Sequence, residues 1–290
     1  MTYIIENVKM VRRDKLETMS LLVKDDKILS VKPDFPKYLY MKMNATNFVM
    51  TSTYVFVNMS IPNITSDKEI KEYFTSRYIM NGCTTVIAVA SIQDIRVLEQ
   101  ERNKIVEFFS KSSLDYTVAI KIPVQLLTVP LIQKCKQLKI PAIFIEYEDK
   151  RSLYKIPWGW IREAMFPYNS PLIPIPIGND EEIEDLLYHW HFILERERIP
   201  HILYPLNEDS PLDLDVLKQI GIYPLKGYLQ AGGELSYNLF LSNTGRKEDQ
   251  EKQSLVVTVH KGKIIRVGSE AKFIPENSEE ITILKPSFFK

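Results

Sequence analysis

The sequence predicts an α/β protein in which strand-rich ends enclose a middle of alternating strands and helices. Three observations carry this. Residues 1–47 and 222–290 read as short strands and hairpins. Residues 48–221 alternate apolar runs with longer amphipathic segments, the pattern of βα units on a parallel sheet. Six such units can be counted, two fewer than a complete eightfold barrel.

In order, Tyr3–Met10, Ser20–Lys24 and Lys27–Val31 are rich in Ile, Val and Leu, and Asp25-Asp26 supplies a tight turn between the last two. Strands are then expected at Phe48–Val57, Thr84–Ala90, Tyr116–Ile122, Ala142–Glu146, Leu172–Ile177 and His201–Tyr204. Helical patterns lie between them at Asp67–Asn81, Ile92–Ser110, Val129–Leu138, Leu153–Phe166, Asp180–Arg198 and Leu212–Ile220. Asn179-Asp180 before Glu181-Glu182 starts the fifth of these, because a side-chain acceptor and early carboxylates complement free N–H groups. Pro200 bounds its other end. The hairpin pattern Leu255–His260, Lys261-Gly262, Lys263–Val267 closes the chain, with Ile281–Leu284 a further strand.

The 290 residues carry 37 Lys+Arg against 37 Asp+Glu, so no overall field draws in nucleic acid or an anionic membrane. Arg12–Lys15 and Arg246–Lys252 are mixed-charge loops without a one-sided basic face. Cys83 and Cys135 are the two cysteines, which excludes a disulfide scaffold and a four-cysteine zinc site. No basic segment precedes an apolar stretch at the start, and the apolar windows Phe48–Met59 and Cys83–Ile92 are too short to span a bilayer. A soluble, cytoplasmic protein is expected.

Three passages say more. Tyr3–Val31 is one. Tyr73–Val86 is a helical pattern running into Gly82-Cys83-Thr84-Thr85-Val86. Ile220–Leu241 contains Gly221-Ile222-Tyr223-Pro224-Leu225-Lys226-Gly227 and Gly232-Gly233-Glu234. In this order they resemble the amidohydrolase superfamily, specifically its branch of dihydroorotases, dihydropyrimidinases and hydantoinases. The resemblance implies an incomplete or distorted TIM-like (β/α) barrel, residues 48–221, inserted into a small β-sandwich formed by residues 1–47 and 222–290. It also implies a shortened member, the deficit falling between His201 and Ile220, where the last barrel units belong.

The family's amide hydrolysis relies on one or two divalent ions that polarise the carbonyl and generate hydroxide. The resemblance places a His-x-His pair at Val57 and Met59, a carbamylated lysine at Phe144, and a fifth-strand histidine within Pro171–Ile177. Valine offers no donor, and a thioether prefers soft metals. No lysine stands between Lys139 and Lys150, and Pro171–Ile177 holds no histidine. The late aspartate of the family belongs to the missing stretch; Asp209, Asp213 and Asp215 read as helix-start carboxylates. No catalytic residue, metal ligand or cofactor is therefore expected, and the old pocket is lined by Val57, Met59, Phe144, Glu146 and Ile175.

Other candidates have plainer readings. His189-Trp190-His191 lies within a helical pattern, where residues two apart are rotated by roughly 200° and cannot chelate together. His201 stands at the start of the sixth strand, away from the end where barrel chemistry sits. His260 precedes a hairpin turn and is expected in solvent. Cys83 reads as a buried small hydrophobe. Tyr154, Trp158, Trp160 and Phe166 form either a ligand platform or the packing of a helix on the sheet, the second favoured. Gly232-Gly233 is a turn and no phosphate cradle, because a strand follows it.

The expected function is thus a catalytically degenerate pseudoenzyme with a binding, scaffolding or regulatory role. An alternative is a hydrolase of cyclic C–N bonds without metal or with relocated ligands, using groups such as Glu146 and His201. A second is a small-molecule sensor using the old pocket, its ligand less polar than a hydantoin. Unpaired barrel edges imply a homo-oligomer or a complex with a related protein, with no nucleic acid and no membrane as partner.

Overall fold

Strands form where β-branched and aromatic residues run together, helices where apolar residues recur at helical spacing. In the computed structural model, residues 1–12, 15–242 and 254–289 are described; Arg246–Lys252 lies outside them. The N-terminal part supplies β1 (Thr2–Arg12), β2 (Lys15–Lys24), β3 (Lys27–Lys32), β4 (Met41–Asn44) and β5 (Phe48–Ser52). The middle supplies β6 (Tyr54–Asn58), α1 (Asp67–Arg77), β7 (Cys83–Ser91), α2 (Leu98–Ser110), β8 (Asp115–Pro123) and α3 (Val129–Gln137). It continues with β9 (Ile143–Tyr147), α4 (Lys150–Tyr154), α5 (Trp158–Met165), β10 (Leu172–Pro176), α6 (Asp180–Arg196) and α7 (Leu214–Ile220). The C-terminal part adds β11 (Tyr237–Leu241), β12 (Leu255–His260), β13 (Lys263–Val267) and β14 (Glu270–Ala271). None of the described helices is long and apolar enough to cross a membrane.

The chain divides into two units, Met1–Val55 with Thr65–Thr85 and Pro224–Glu276, and Phe56–Ile64 with Val86–Tyr223 and Asn277–Lys290. These bounds differ from the 47/48 and 221/222 divisions expected. The C-terminal segment groups with the second unit because it is held there. Ile281 N–H bonds the Tyr116 carbonyl at 2.6 Å, the Tyr168 hydroxyl donates to the Ile283 carbonyl at 2.7 Å, and the Ile283 side chain is buried. Ile281–Leu284 is accordingly no strand; a single bridge joins Glu280 to Tyr116.

The first unit is built on a mostly antiparallel sheet of order β14-β13-β12-β11-β5-β1-β2-β3, with β4 beside β1. Side chains alternate across a strand. Ile5 and Leu21, paired in register, enter one core with Ile28 of β3, Met50 of β5, Leu239 of β11 and Val259 of β12. The neighbouring pair Ile4 and Leu22 packs with Phe35 on the other face. Strands from both ends of the sheet thus share one core, the packing that a sandwich requires. His260 belongs to this interior. It is fully buried, contrary to the solvent position expected from its hairpin, because the turn itself is covered: Gly262 N–H bonds the Leu235 carbonyl at 2.9 Å, and a Cβ at Gly262 would meet the Asp25 carbonyl at 3.1 Å.

The expected Phe48–Val57 strand breaks at Thr53 into β5 and β6, which belong to different sheets. The second sheet has five strands in the order β10-β9-β8-β7-β6, and β8, β9 and β10 pair in parallel. The sixth expected strand shrinks to one bridge, His201 to Leu172. The reason lies in β10. Leu172 turns its N–H and C=O outward, to the Pro200 carbonyl and the Ile202 N–H, each at 2.9 Å. Residues 174 and 176 face the same way, and both are proline, with no N–H to give. Beyond Leu172 the outer edge has no donors for another strand.

Candidate functional site

The strand ends of the second unit are the place to look, and the register decides which side chains meet there. In parallel pairing, residues opposite each other share a face. Lys121, Phe144 and Ile173 form one row; Pro123, Glu146 and Ile175 form the next. The alternate residue Tyr147 stacks on Trp190 of α6, ring centroids 5.5 Å apart, so its face is the helix side. Phe144, Glu146 and Ile175 therefore share the face turned away from that helix. Phe144 is fully buried, while Glu146 and Ile175 are half-buried. Glu146 is engaged by Lys121, Nζ to carboxylate oxygen 2.9 Å.

Val57 and Met59 stand at the other edge of the sheet, in and just beyond β6, three strand steps from β9 and about 14 Å along the sheet. Val57 is fully buried and Met59 half-buried. The Met59 N–H donates to the carboxylate of Glu208, a residue the sequence reading missed; it follows the shortened sixth unit, and no periodicity points to it. Asp213 caps α7, accepting from Val216 N–H at 2.8 Å, and Asp215 is in its first turn, the helix-start roles expected.

These residues do not suit the family's divalent centre. Val57, Phe144 and Ile175 have no donor atom, Met59 offers a thioether, Glu146 is paired with a lysine and Glu208 with a backbone N–H. Nor do Glu146 and His201 converge. Glu146 lies opposite Ile175 and His201 opposite Leu172, three residues or about 10 Å apart along the strand direction.

The remaining candidates divide. His189 meets the Tyr154 hydroxyl at 3.0 Å while His191 meets His201 at 3.2 Å, so the two helical histidines do face different neighbours. Cys83 is buried with its Sγ 3.2 Å from the Thr85 carbonyl; burial also pushes the Cys135 thiol up to about 12. Trp158 is buried and donates from Nε1 to the Leu153 carbonyl at 2.9 Å. Trp160, Tyr154 and Phe166, expected to pack with it, are exposed instead, because they fall on the outer side of short helices whose inner side is filled by Leu153, Trp158, Ile161 and Met165.

The Gly82 and Lys226 motifs occupy the first unit. Gly82 has φ +71°, and its carbonyl accepts from Asn238 Nδ2 at 2.9 Å. Asn238 Oδ1 accepts in turn from Thr258 at 2.9 Å. Lys226 and Glu234 form a pair at 2.5 Å, with Ser236 donating to Glu234 and Ser236 Oγ 3.3 Å from His260 Nδ1. Burial alone would raise the Glu234 carboxyl, but the Lys226 ammonium and the hydroxyl of Ser236 hold it below its ordinary value.

The sequence matches no protein-family model and no curated protein. Solved structures do match. A D-hydantoinase aligns with TM-score 0.64 at 12% identity over 98% of this chain and 99% of that one. Dihydropyrimidinase from Brevibacillus agri NCHU1002 aligns with TM-score 0.60 at 12% identity over 100% of both chains. An atrazine chlorohydrolase from Arthrobacter aurescens TC1 aligns with TM-score 0.53 at 10% identity over 93% of this chain and 96% of that one. The chain therefore has the fold of the hydantoinases and dihydropyrimidinases, the amidohydrolase-superfamily fold that its three sequence passages resemble.

Proposed function

We propose that this protein is a non-hydrolytic binding protein on an amidohydrolase-type fold. The observation that carries the reading is the interior row at β8–β10. Where the resemblance puts metal ligands, Phe144 is closed into the core and Ile175 beside it has no donor, with Glu146 tied to Lys121. Half-buried Ile175, on the same face as a glutamate already paired with lysine, suits a ligand less polar than a hydantoin. The expected association with a second copy or a related chain remains part of the proposal, but not through the β10 edge, where Pro174 and Pro176 oppose strand pairing.

A second reading, hydrolysis of a cyclic C–N bond, draws on the fold's company of D-hydantoinase and dihydropyrimidinase and on the carboxylates Glu146 and Glu208. The chlorohydrolase shows that this fold also serves other bonds. Turnover separates the two. The purified chain, supplied with zinc or manganese, is assayed on hydantoin, dihydrouracil and dihydroorotate. No rate above buffer is expected. Turnover that disappears in Glu146→Gln or Glu208→Gln would establish the hydrolase instead.

A further inference from the structure

The end of α6 and the turn after it bring together a second set of groups, at the opposite end of the strands from Glu146. His191 and Glu195 are four apart on α6 and share a face. After the helix, Arg198 turns the chain through a positive φ of 56°, and Ile199 N–H closes the turn on the Leu194 carbonyl at 2.9 Å. His201 is thereby returned to the side of His191. Its backbone is held on both sides by the bonds of Leu172 to Pro200 and Ile202, and the Ile202 carbonyl also accepts from Trp190 Nε1 at 2.9 Å.

The His201 ring is oriented as well. Nδ1 lies 2.8 Å from the Ile199 carbonyl. A carbonyl only accepts, so the ring proton sits on Nδ1 and Nε2 presents a lone pair. That lone pair points at His191 Nδ1, 3.2 Å away. Donor atoms of His191, Glu195 and His201 all lie within 4.8 Å of one another.

We propose that His191, Glu195 and His201 form a zinc site. Two imidazole nitrogens on a tetrahedral zinc stand about 3.3 Å apart, given metal–nitrogen distances near 2.0–2.1 Å, so the separation of the histidine pair already matches and the rings need only turn their lone pairs toward a common point. Two histidines and a carboxylate leave the fourth position open. Glu195 and His201 also line an open cleft of about 590 Å³ together with Arg162 and Arg198. The fourth ligand is accordingly water or a small anion, which those guanidinium groups favour. His189 takes no part, as its two-residue helical spacing from His191 implies; the ligands are one helical turn apart and then across a turn, a spacing of four and six.

The site stands apart from the non-hydrolytic reading, because the Glu146→Gln and Glu208→Gln variants of the turnover assay report on the other end of the strands. Zinc chloride is titrated calorimetrically into the chelator-treated chain, and the bound metal is examined by zinc-edge X-ray absorption. One equivalent with two imidazoles among its ligands is expected. His191→Gln and His201→Gln should each weaken binding at least about tenfold, and Glu195→Gln should do so with little effect on folding, since that side chain is exposed. His189→Gln, on another side of the helix, should bind as the parent does. No uptake, or an unchanged isotherm in the double His191→Gln/His201→Gln variant with its circular dichroism intact, would overturn the site and leave an N–H···N hydrogen bond between two histidines.

Discussion

Two lysine–glutamate pairs of similar length mark the two units, Lys226–Glu234 at 2.5 Å in the first and Lys121–Glu146 at 2.9 Å in the second. The first is the more enclosed, its side chains 10% and 14% exposed against 22% and 24%. It is also the better connected, with Ser236 and His260 against the carboxylate. The Lys226 pair sits within a passage that resembles the family, the Lys121 pair at strand ends where Phe144 and Ile175 offer no donor atom. What resembles the family here is joinery: a left-handed glycine, a buried amide and a largely enclosed ion pair that hold strands together.

The comparison can be tested hardest at Phe144. A residue in a hydrolytic site can be truncated with little loss of stability, whereas a fully buried ring cannot. Phe144→Ala should cost about 3–5 kcal/mol, the transfer of the ring plus the cavity it leaves, seen as a lower urea midpoint. An unchanged midpoint would mean that the position is open, and the apolar-core account of the strand ends would fail.

Next in size is Lys226→Met, expected to cost about 2 kcal/mol because it strands a largely enclosed carboxylate. Its pH dependence identifies the cause. In the parent, Glu234 has a lowered folded pKa, so its contribution is present above the ordinary value of 4.5 and is lost as pH falls through the lower folded value. Without Lys226 the burial that opposes charge dominates and the carboxyl rises. The variant's deficit should then be largest near neutral pH and shrink on acidification, followed by urea melts at stepped pH. A deficit constant with pH would assign the loss to packing.

Gly82→Ala should cost about 1–3 kcal/mol, from a positive φ in a residue with a Cβ and from the Asn238 side chain, whose Nδ2 lies 2.5 Å from where that Cβ would be. Asn238→Ala combined with it should recover part of the steric loss but none of the backbone strain. Full recovery in the double variant would show that Gly82 is needed for space alone.

These same residues explain what could be read from the chain. Alternation and β-branching gave the strands of both units, and Asn179 with Glu182 forms the helix start that composition suggested, the Asn179 side-chain Oδ1 accepting from Glu182 N–H at 3.0 Å. The loss of the sixth strand was also written in the chain, in Pro174 and Pro176, but only register tells which way their missing N–H groups would face. His260 misled because a turn is polar by composition, while burial depends on what another part of the sheet lays over it. The His191–Glu195–His201 cluster was hidden for a related reason. Four-residue spacing signals the first two, but the third arrives through the left-handed turn at Arg198, which no residue type requires.

The smallest effect belongs to the pair that the comparison began with in the second unit. Lys121→Met should change stability by no more than about 1 kcal/mol, since a half-buried pair loses in desolvation most of what it gains in attraction, and methionine keeps the stem that lies beside Phe144 in the register. Its value is diagnostic. With Lys121 gone, Glu146 loses its ion-pair partner at the strand ends, and the variant is compared with the parent in urea melts and in the turnover assay. If the variant instead loses as much stability as Lys226→Met, the two pairs are equivalent joinery and the strand ends of the second unit hold no vacated site. If it gains turnover on a cyclic amide, Lys121 has been restraining a base, and the non-hydrolytic reading gives way to a masked hydrolase.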